Sequence, residues 1–238
     1  MSTQSNYHIL MLSSSRMGKE DYLEHAKTLI MSHLDGQREV LFIPFAGVTL
    51  DWDDYVKKVS EALPELSITG IHRHNDPLVA LQEAKAVLVG GGNTFNLLSE
   101  LYQQELLVPL QERVAQGMPY IGWSAGSNIC GNSIRTTNDM PIIEPPSFAA
   151  LNFVPCQINP HYTDYQPPNH NGETRDDRLF EFTQLNPDTP VLAIREGTAL
   201  QYSQGSLTLL GELEGFCFKG ANKTPIAPGQ ELTQYLSS

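Results

Sequence analysis

The sequence predicts an α/β protein with a mostly parallel, twisted sheet and helices on both faces. Through the first 130 residues, short apolar runs alternate with amphipathic segments, which is typical of parallel strands joined by helices. After residue 200, three short β-like segments are separated by glycines, which indicates antiparallel strands at the C-terminal end. With 238 residues, 40% of them hydrophobic, the chain can bury a sizeable core, and we expect one domain over residues 1–238.

The elements follow in a regular order. Apolar runs predict strands at residues 8–12, 39–43, 67–71, 86–89 and 119–122. Apolar residues at helical spacing predict helices at 22–34, 51–63, 94–102 and 106–116, and Pro77 opens another at its first position. Residues 131–173 are a long loop region rich in Pro, Asn and Thr, and a loop of this length is usually functional. A helix at 175–185 and a buried strand at 191–194 follow.

Composition and charge exclude several classes of function. The chain has 27 acidic and 15 basic residues, a net charge of −12, so nucleic-acid phosphates and anionic membranes would be repelled. No apolar stretch approaches the roughly 20 residues that span a bilayer. The polar segment 1–6 carries no basic region of a signal sequence, and three cysteines without paired spacing indicate a reducing compartment. We expect a cytoplasmic protein without nucleic-acid or membrane partners.

The strongest chemical signal is the segment GWSAG at residues 122–126, between a predicted strand and a predicted helix. Small neighbours allow the sharp turn that exposes a serine nucleophile at the carboxyl edge of a sheet. Ser124 is therefore a candidate nucleophile. The alternative is a tight turn in which Ser124 only caps the helix.

A serine nucleophile needs a base and an acidic group that orients the base. Among seven histidines, His161 has the best position, since it follows an apolar patch inside the long loop region, whereas His170 lies in a Pro/Asn-rich segment. Two acids are candidates for the third role. Glu196 follows a predicted strand, and Asp139 lies in the long loop region. Either could instead be a solvated turn carboxylate or a cap, and the residues alone do not decide between them.

Two further elements suit a substrate site. The segment GGGNT at 90–94 follows an apolar strand, and its backbone N–H groups could form an oxyanion hole. A phosphate loop is disfavoured because the Gly-x-Gly-x-x-Gly spacing and a Walker lysine are missing, and a simple packing turn is the other alternative. Arg175 could hold a substrate carboxylate, although a surface ion pair with Asp176 or Asp177 is the simpler interpretation of the residues alone.

Taken together, these segments resemble peptidase E, the α-aspartyl dipeptidase family of serine peptidases. The resemblance covers roughly residues 7–220. The matching segments, in order, are residues 42–49 (FIPFAGVT), 89–95 (VGGGNTF), 120–126 (YIGWSAG), 134–141 (IRTTNDMP), 157–161 (QINPH) and 172–175 (GETR). Three residues depart from the expected pattern, Ser127 and the pair Thr198-Ala199.

The resemblance implies a class I glutamine-amidotransferase-like α/β fold and hydrolysis of Asp-Xaa dipeptides with no cofactor and no metal. Ser124 matches the nucleophile and His161 the base. The acidic partner matches either Glu196 or Asp139, and we prefer Glu196 because a carboxylate at a strand end is better held. Asp139 remains a site residue.

The resemblance also assigns the substrate contacts. The N–H groups of Gly92 and Ala125 match the oxyanion hole. Arg175 matches the residue that binds the side chain of the substrate aspartate, and Asn93 helps to hold the substrate. The expected partner is therefore a small acidic dipeptide, and a homodimer is left open.

Two rival functions remain. A related serine hydrolase could use the same triad on β-linked aspartyl substrates, as the cyanophycinases do. A catalytically silent binding protein on the same scaffold is the second rival, and the presence of all three triad residues argues against it.

Overall fold

The computed structural model describes residues 6–169 and 171–236; His170 and the N-terminal residues 1–5 considered above lie outside them. The strands are β1 (His8–Leu12), β2 (Glu39–Ile43), β3 (Ser67–Gly70), β4 (Val87–Val89), β5 (Tyr120–Trp123), β6 (Gln157–Asn159), β7 (Val191–Ala193), β8 (Ala199–Ser203), β9 (Ser206–Leu210), β10 (Gly215–Lys219) and β11 (Asn222–Ile226). The α-helices are α1 (Lys27–His33), α2 (Trp52–Ala62), α3 (Pro77–Glu83), α4 (Thr94–Gln103), α5 (Leu107–Ala115), α6 (Ala125–Asn128) and α7 (Arg175–Leu185).

The main sheet has seven strands in the order β3-β2-β4-β5-β1-β8-β9. Strands β1 to β5 pair in parallel, and β8 and β9 extend the β1 edge antiparallel. This arrangement confirms the predicted mostly parallel sheet with antiparallel C-terminal strands. The carboxyl ends of β1, β4 and β5 therefore meet at one edge, where ligands bind in open α/β sheets.

Both faces of the main sheet are covered by helices, as predicted. Along β1, Ile9 and Met11 belong to a core cluster that also contains apolar residues of α3, α4 and α5. Leu10 and Leu12 belong to a second cluster with residues of α1 and α2. Because successive strand residues point to opposite faces, a continuous apolar run serves both cores.

A second, smaller sheet has the order β11-β10-β7-β6. Strands β6 and β7 pair in parallel, and β10 pairs antiparallel with β7 and β11. A third apolar cluster packs this sheet against α7 through residues such as Leu179, Val191 and Phe218. The carboxyl ends of β6 and β7 lie side by side, which brings together loops that are far apart in sequence.

The structure differs from the sequence prediction at three elements. Strand β6 lies inside the segment 131–173 that was predicted as a long loop. The first helix begins at Lys27 after a 3₁₀ turn at Glu24–Ala26, because Leu23 has a φ of 61°, which an α-helix cannot accommodate. Strand β11 was not predicted, since its sequence NKTPI is polar and contains Pro225. Proline is tolerated there because β11 is an edge strand.

In the described part of the chain, no helix combines the length and the apolar character needed to cross a membrane.

Candidate active site

Ser124 lies at the sharp turn between β5 and α6, at the carboxyl edge of the main sheet. Its backbone has a φ of 53° and a ψ of −112°, a conformation that costs a non-glycine residue about 1–3 kcal/mol. The turn needs Gly126, because a Cβ there would lie 2.3 Å from the carbonyl oxygen of Val89. The surrounding structure thus holds the half-buried serine in a strained conformation at the sheet edge, where its side chain borders the cavities described below.

The side chains of Ser124, His161 and Glu196 form a continuous hydrogen-bonded row. Ser124 Oγ lies 2.9 Å from His161 Nε2. His161 Nδ1 lies 2.7 Å from Glu196 Oε1. Because the Glu196 carboxylate accepts a hydrogen bond from Nδ1–H, the imidazole proton stays on Nδ1, and the unprotonated Nε2 can accept the serine hydroxyl proton. The arrangement has the geometry of a nucleophile, a base and an orienting acid.

A hydrogen bond to the His161 backbone fixes the position of this residue. It follows β6 with a φ of 54°, and its N–H donates to Ser13 Oγ at 2.9 Å. The Ser13 hydroxyl in turn donates to the carbonyl of Ile194 at 2.8 Å. Ser13 therefore connects the end of β1 to the strand ends that carry His161 and Glu196. The sequence did not lead us to Ser13 as a site residue, although its position directly after a buried strand could have indicated it.

Glu196 lies in a turn just after β7. The Thr198 N–H donates to the Arg195 carbonyl at 3.1 Å, and Gly197 has the positive φ of 83° that the third position of a type II turn requires. The Thr198 hydroxyl also donates to the Arg195 carbonyl at 2.7 Å, which gives this departure from the family pattern a structural role. The Glu196 side chain is 53% exposed, so water screens its charge.

Arg195, the first residue of this turn, is fixed by an ion pair. Its guanidinium donates two hydrogen bonds, of 2.9 Å and 2.8 Å, to the two carboxylate oxygens of Asp164. These hydrogen bonds lower the pKa of Asp164 to about 2. The pair ties the loop after His161 to the turn that carries Glu196.

Asp139 contacts α4 instead of the imidazole. Its Oδ2 accepts hydrogen bonds from the Thr94 N–H at 2.8 Å, the Thr94 hydroxyl at 2.6 Å and the Thr137 hydroxyl at 3.3 Å. Among the described residues, no hydrogen bond joins Asp139 to His161. Thr94 is the first residue of α4, so the carboxylate lies at the positive end of that helix.

The glycine segment after β4 faces Ser124 across the sheet edge. Gly92 has a φ of 139°, and a Cβ there would lie 2.2 Å from the carbonyl oxygen of Ala46, so only glycine fits. Among the described residues, the N–H groups of Gly92 and Ala125 have no hydrogen-bond acceptor. The Asn93 side chain caps α4 by accepting the Asn96 N–H at 3.0 Å and donates to the Met140 carbonyl at 2.9 Å.

Two cavities open at Ser124. The larger has a volume of about 670 Å³, and the smaller about 180 Å³. Ser124 and His161 line both of them. The larger is also lined by Ser15, Tyr22, Ala46, Gly47, Val48, Thr49, Leu50, Tyr55, Lys58, Gly91, Gly92, Asn93, Trp123 and Ile142. The smaller is also lined by Thr94, Ala125, Asn128, Thr137, Asn138, Asp139 and Pro160.

Arg175 is half-buried at the start of α7 and lines neither of these two cavities. It lines two other hollows together with Thr163 and Tyr165. Its Nη1 is buried and has no hydrogen-bond partner. Burial and the nearby Arg178 lower the pKa of Arg175, whereas the charge of Asp139 opposes this change. A buried guanidinium nitrogen without a partner is costly, so this position favours an anionic ligand.

Ser127, the other departure from the family pattern, is buried beneath the Ser124 turn. Its hydroxyl lies 2.7 Å from the carbonyl of Leu12 and 2.9 Å from that of Gly122, to which it donates. The extra hydroxyl is therefore satisfied within the protein. Within the described ranges, no group of three or more His, Cys, Asp or Glu side chains is arranged to hold a metal ion.

The protein is an α/β protein in which a serine, a histidine and a glutamate come together. The serine follows a parallel strand of the main sheet, and the histidine and the glutamate follow the two parallel strands of the second sheet. Comparison with known proteins identifies the family. Residues 9–210 match Peptidase family S51. The chain belongs to this family and is therefore a peptidase.

Named relatives support this assignment. The chain is 55% identical over 234 residues to peptidase E of Shewanella amazonensis, covering 97% of this chain and all of that protein. It is 53% identical over 230 residues to peptidase E of Shewanella oneidensis, covering 95% and 98%.

Solved structures agree on the fold. A putative peptidase E from Listeria monocytogenes superposes with a TM-score of 0.65 at 22% identity, over 85% of this chain and 97% of that one. A peptidase from an acI-B1 actinobacterium gives a TM-score of 0.67 at 15% identity, over 94% and 95%. These likenesses confirm the predicted fold class.

Proposed function

We propose that this peptidase is a serine dipeptidase that hydrolyses dipeptides with an N-terminal aspartate. The observation that carries the proposal is the row Ser124–His161–Glu196, with separations of 2.9 Å and 2.7 Å. No other base is needed, because His161 Nε2 already lies within proton-transfer distance of the serine hydroxyl. The Shewanella relatives bear the name peptidase E, which supports a peptidase.

In the proposed reaction, His161 Nε2 takes the hydroxyl proton as Ser124 Oγ attacks the α-carbonyl carbon of the N-terminal aspartate. The negative charge that develops on the carbonyl oxygen is stabilised by the N–H groups of Gly92 and Ala125. His161 then protonates the leaving amine, and Glu196 stabilises the imidazolium. A water molecule, deprotonated by His161, hydrolyses the acyl-enzyme and releases aspartate.

Arg175 supplies the proposed preference for aspartate. Its buried Nη1 has no partner in the protein, and a substrate carboxylate would satisfy it with a charge-assisted hydrogen bond. Asp139 lines the smaller cavity at Ser124, and its charge opposes the burial that lowers the pKa of Arg175, so the two side chains are within electrostatic range of each other. Asn93 fixes the start of α4 and lines the larger cavity, where it helps to hold the substrate.

The proposed compartment is the cytoplasm, which the free, buried thiols of Cys130, Cys156 and Cys217 support. No metal is proposed to take part, since side chains supply the nucleophile and the base, and backbone N–H groups supply the oxyanion donors.

A substrate panel tests the proposal. The purified protein is offered Asp-Leu, Leu-Asp, Glu-Leu, β-linked Asp-Leu and N-blocked Asp-Leu, each with and without a chelator. Cleavage of Asp-Leu alone, insensitive to the chelator, is the expected result. Cleavage of the β-linked compound in place of Asp-Leu would change the substrate class. Cleavage of none of them would contradict the proposed activity.

A further inference from the structure

The larger cavity is lined by a lysine that takes no part in the hydrogen bonds between Ser124, His161 and Glu196. Lys58, on α2, lines this cavity together with Ser124 and His161. Of the described residues that line it, Lys58 is the only lysine or arginine, and none is acidic. In a chain with a net charge of −12, a cavity with this lining selects for an anionic group.

The ammonium group of Lys58 is positioned without a carboxylate partner. Its Nζ lies 4.3 Å from the centre of the Tyr22 ring, a cation–π contact. Asp54 and Glu61 lie one helical turn away on α2, yet in the described part of the chain Lys58 forms no ion pair. Burial raises the pKa values of Tyr22 and Tyr55, so both phenols stay neutral at neutral pH. The charge of Lys58 is therefore available to a ligand.

A chain of hydrogen bonds connects Tyr22, which Lys58 contacts, to the glycine segment beside Ser124. The Tyr22 hydroxyl donates to the Tyr55 hydroxyl at 3.1 Å, and Tyr55 donates to the carbonyl of Gly91 at 2.9 Å. Gly91 packs closely against Ser124, since a Cβ on Gly91 would lie 2.9 Å from the Ser124 Cβ. The ring beneath Lys58 is thus fixed relative to the nucleophile.

The leaving group of a dipeptide is an amino acid with a free α-carboxylate, two bonds beyond the scissile nitrogen. A longer peptide has a neutral amide at that place. We propose that Lys58 binds this carboxylate and thereby restricts the peptidase to dipeptides. The inference rests on the proposed function, which supplies the Asp-Xaa substrate and its orientation. A cavity of 670 Å³ is within the range of roughly 300–1,000 Å³ usual for small-molecule sites.

The test compares Asp-Leu with Asp-Leu-amide and Asp-Leu-Gly, in the wild-type protein and in K58M. The wild type is expected to cleave Asp-Leu with a kcat/KM about tenfold above that for the amide, because a charge-assisted hydrogen bond is lost with the carboxylate. K58M is expected to lose about tenfold on Asp-Leu, mainly through KM, and to keep wild-type kinetics on Asp-Leu-amide. Unchanged amide kinetics also show that K58M is folded.

Two variants complete the design. K58R keeps the charge and is expected to retain most of the discrimination. K57M removes the charge of the exposed neighbour on the same helix, which does not line the cavity, and is expected to behave as wild type. If K58M keeps the wild-type preference for Asp-Leu over its amide, or slows both substrates equally, the inference is overturned while the proposed function stands. If the wild type cleaves none of the three compounds, both the inference and the proposed function are overturned, whereas cleavage of Asp-Leu-Gly as fast as Asp-Leu overturns the inference alone.

Discussion

Replacing Glu196 by Gln should separate the two acids that the sequence leaves open. In the structure, Glu196 Oε1 lies 2.7 Å from His161 Nδ1, whereas Asp139 bonds to Thr94 and Thr137. E196Q removes the charge that stabilises the imidazolium and keeps a similar side-chain shape. D139N removes a charge that does not contact the imidazole. The two variants should therefore differ in kcat.

The expected magnitude follows from the geometry and exposure of the pair. Because Glu196 is 53% exposed, an effective dielectric constant of about 40 is appropriate, between the value for pairs near a protein surface and that of water. Coulomb's law at 2.7 Å then gives about 3 kcal/mol for the charge interaction. E196Q should thus lower kcat about 100-fold, less than a buried triad acid would, and D139N less than about tenfold.

Steady-state hydrolysis of Asp-Leu by the wild type, E196Q, E196A and D139N measures these effects. E196A also removes the group that fixes the imidazole tautomer, so its kcat should fall further than that of E196Q. A 100-fold loss in D139N beside near-normal E196Q would refute the reasoning and assign the orienting role to Asp139.

Three further predictions concern the base, the specificity residue and the fold. H161A should lower kcat for Asp-Leu about 10⁴-fold, since the serine loses its base; near-normal turnover would remove His161 from the mechanism. R175M should raise KM for Asp-Leu far more than for a neutral dipeptide, and an unchanged preference would place aspartate recognition elsewhere. Burial lowers the pKa of His33 to about 4, below its unfolded value of about 6.5, so the unfolded chain binds more protons between these values. Stability should therefore fall by about 2 kcal/mol between about pH 7 and about pH 5 in urea unfolding, and H33Q should flatten this slope; equal slopes in both proteins would contradict it.

Much of the main sheet could be predicted because its strands are short apolar runs bounded by turn residues. The edge strand β11 could not, since an exposed edge imposes no apolar pattern on NKTPI. The start of α1 was misplaced because the left-handed conformation of Leu23 is set by its packing in the core and has no local sequence signal.

The site was predictable where the chemistry is local and not where it depends on strand pairing. The small residues around Ser124 and the glycines before Asn93 are visible in the sequence. His161 and Glu196 meet because β6 pairs in parallel with β7, a pairing between segments more than 30 residues apart. Lys58 lines the cavity from α2, and helical periodicity alone makes it an ordinary surface residue.

The most direct test of the account is the activity of S124A towards Asp-Leu in the presence of a chelator, beside S127A as the matched control. The neighbouring Ser127 hydroxyl is buried against Leu12 and Gly122 and lines neither cavity. The account predicts that S127A cleaves Asp-Leu at close to the wild-type rate and that S124A loses about 10⁴-fold or more in kcat. Turnover by S124A at the wild-type rate would contradict it.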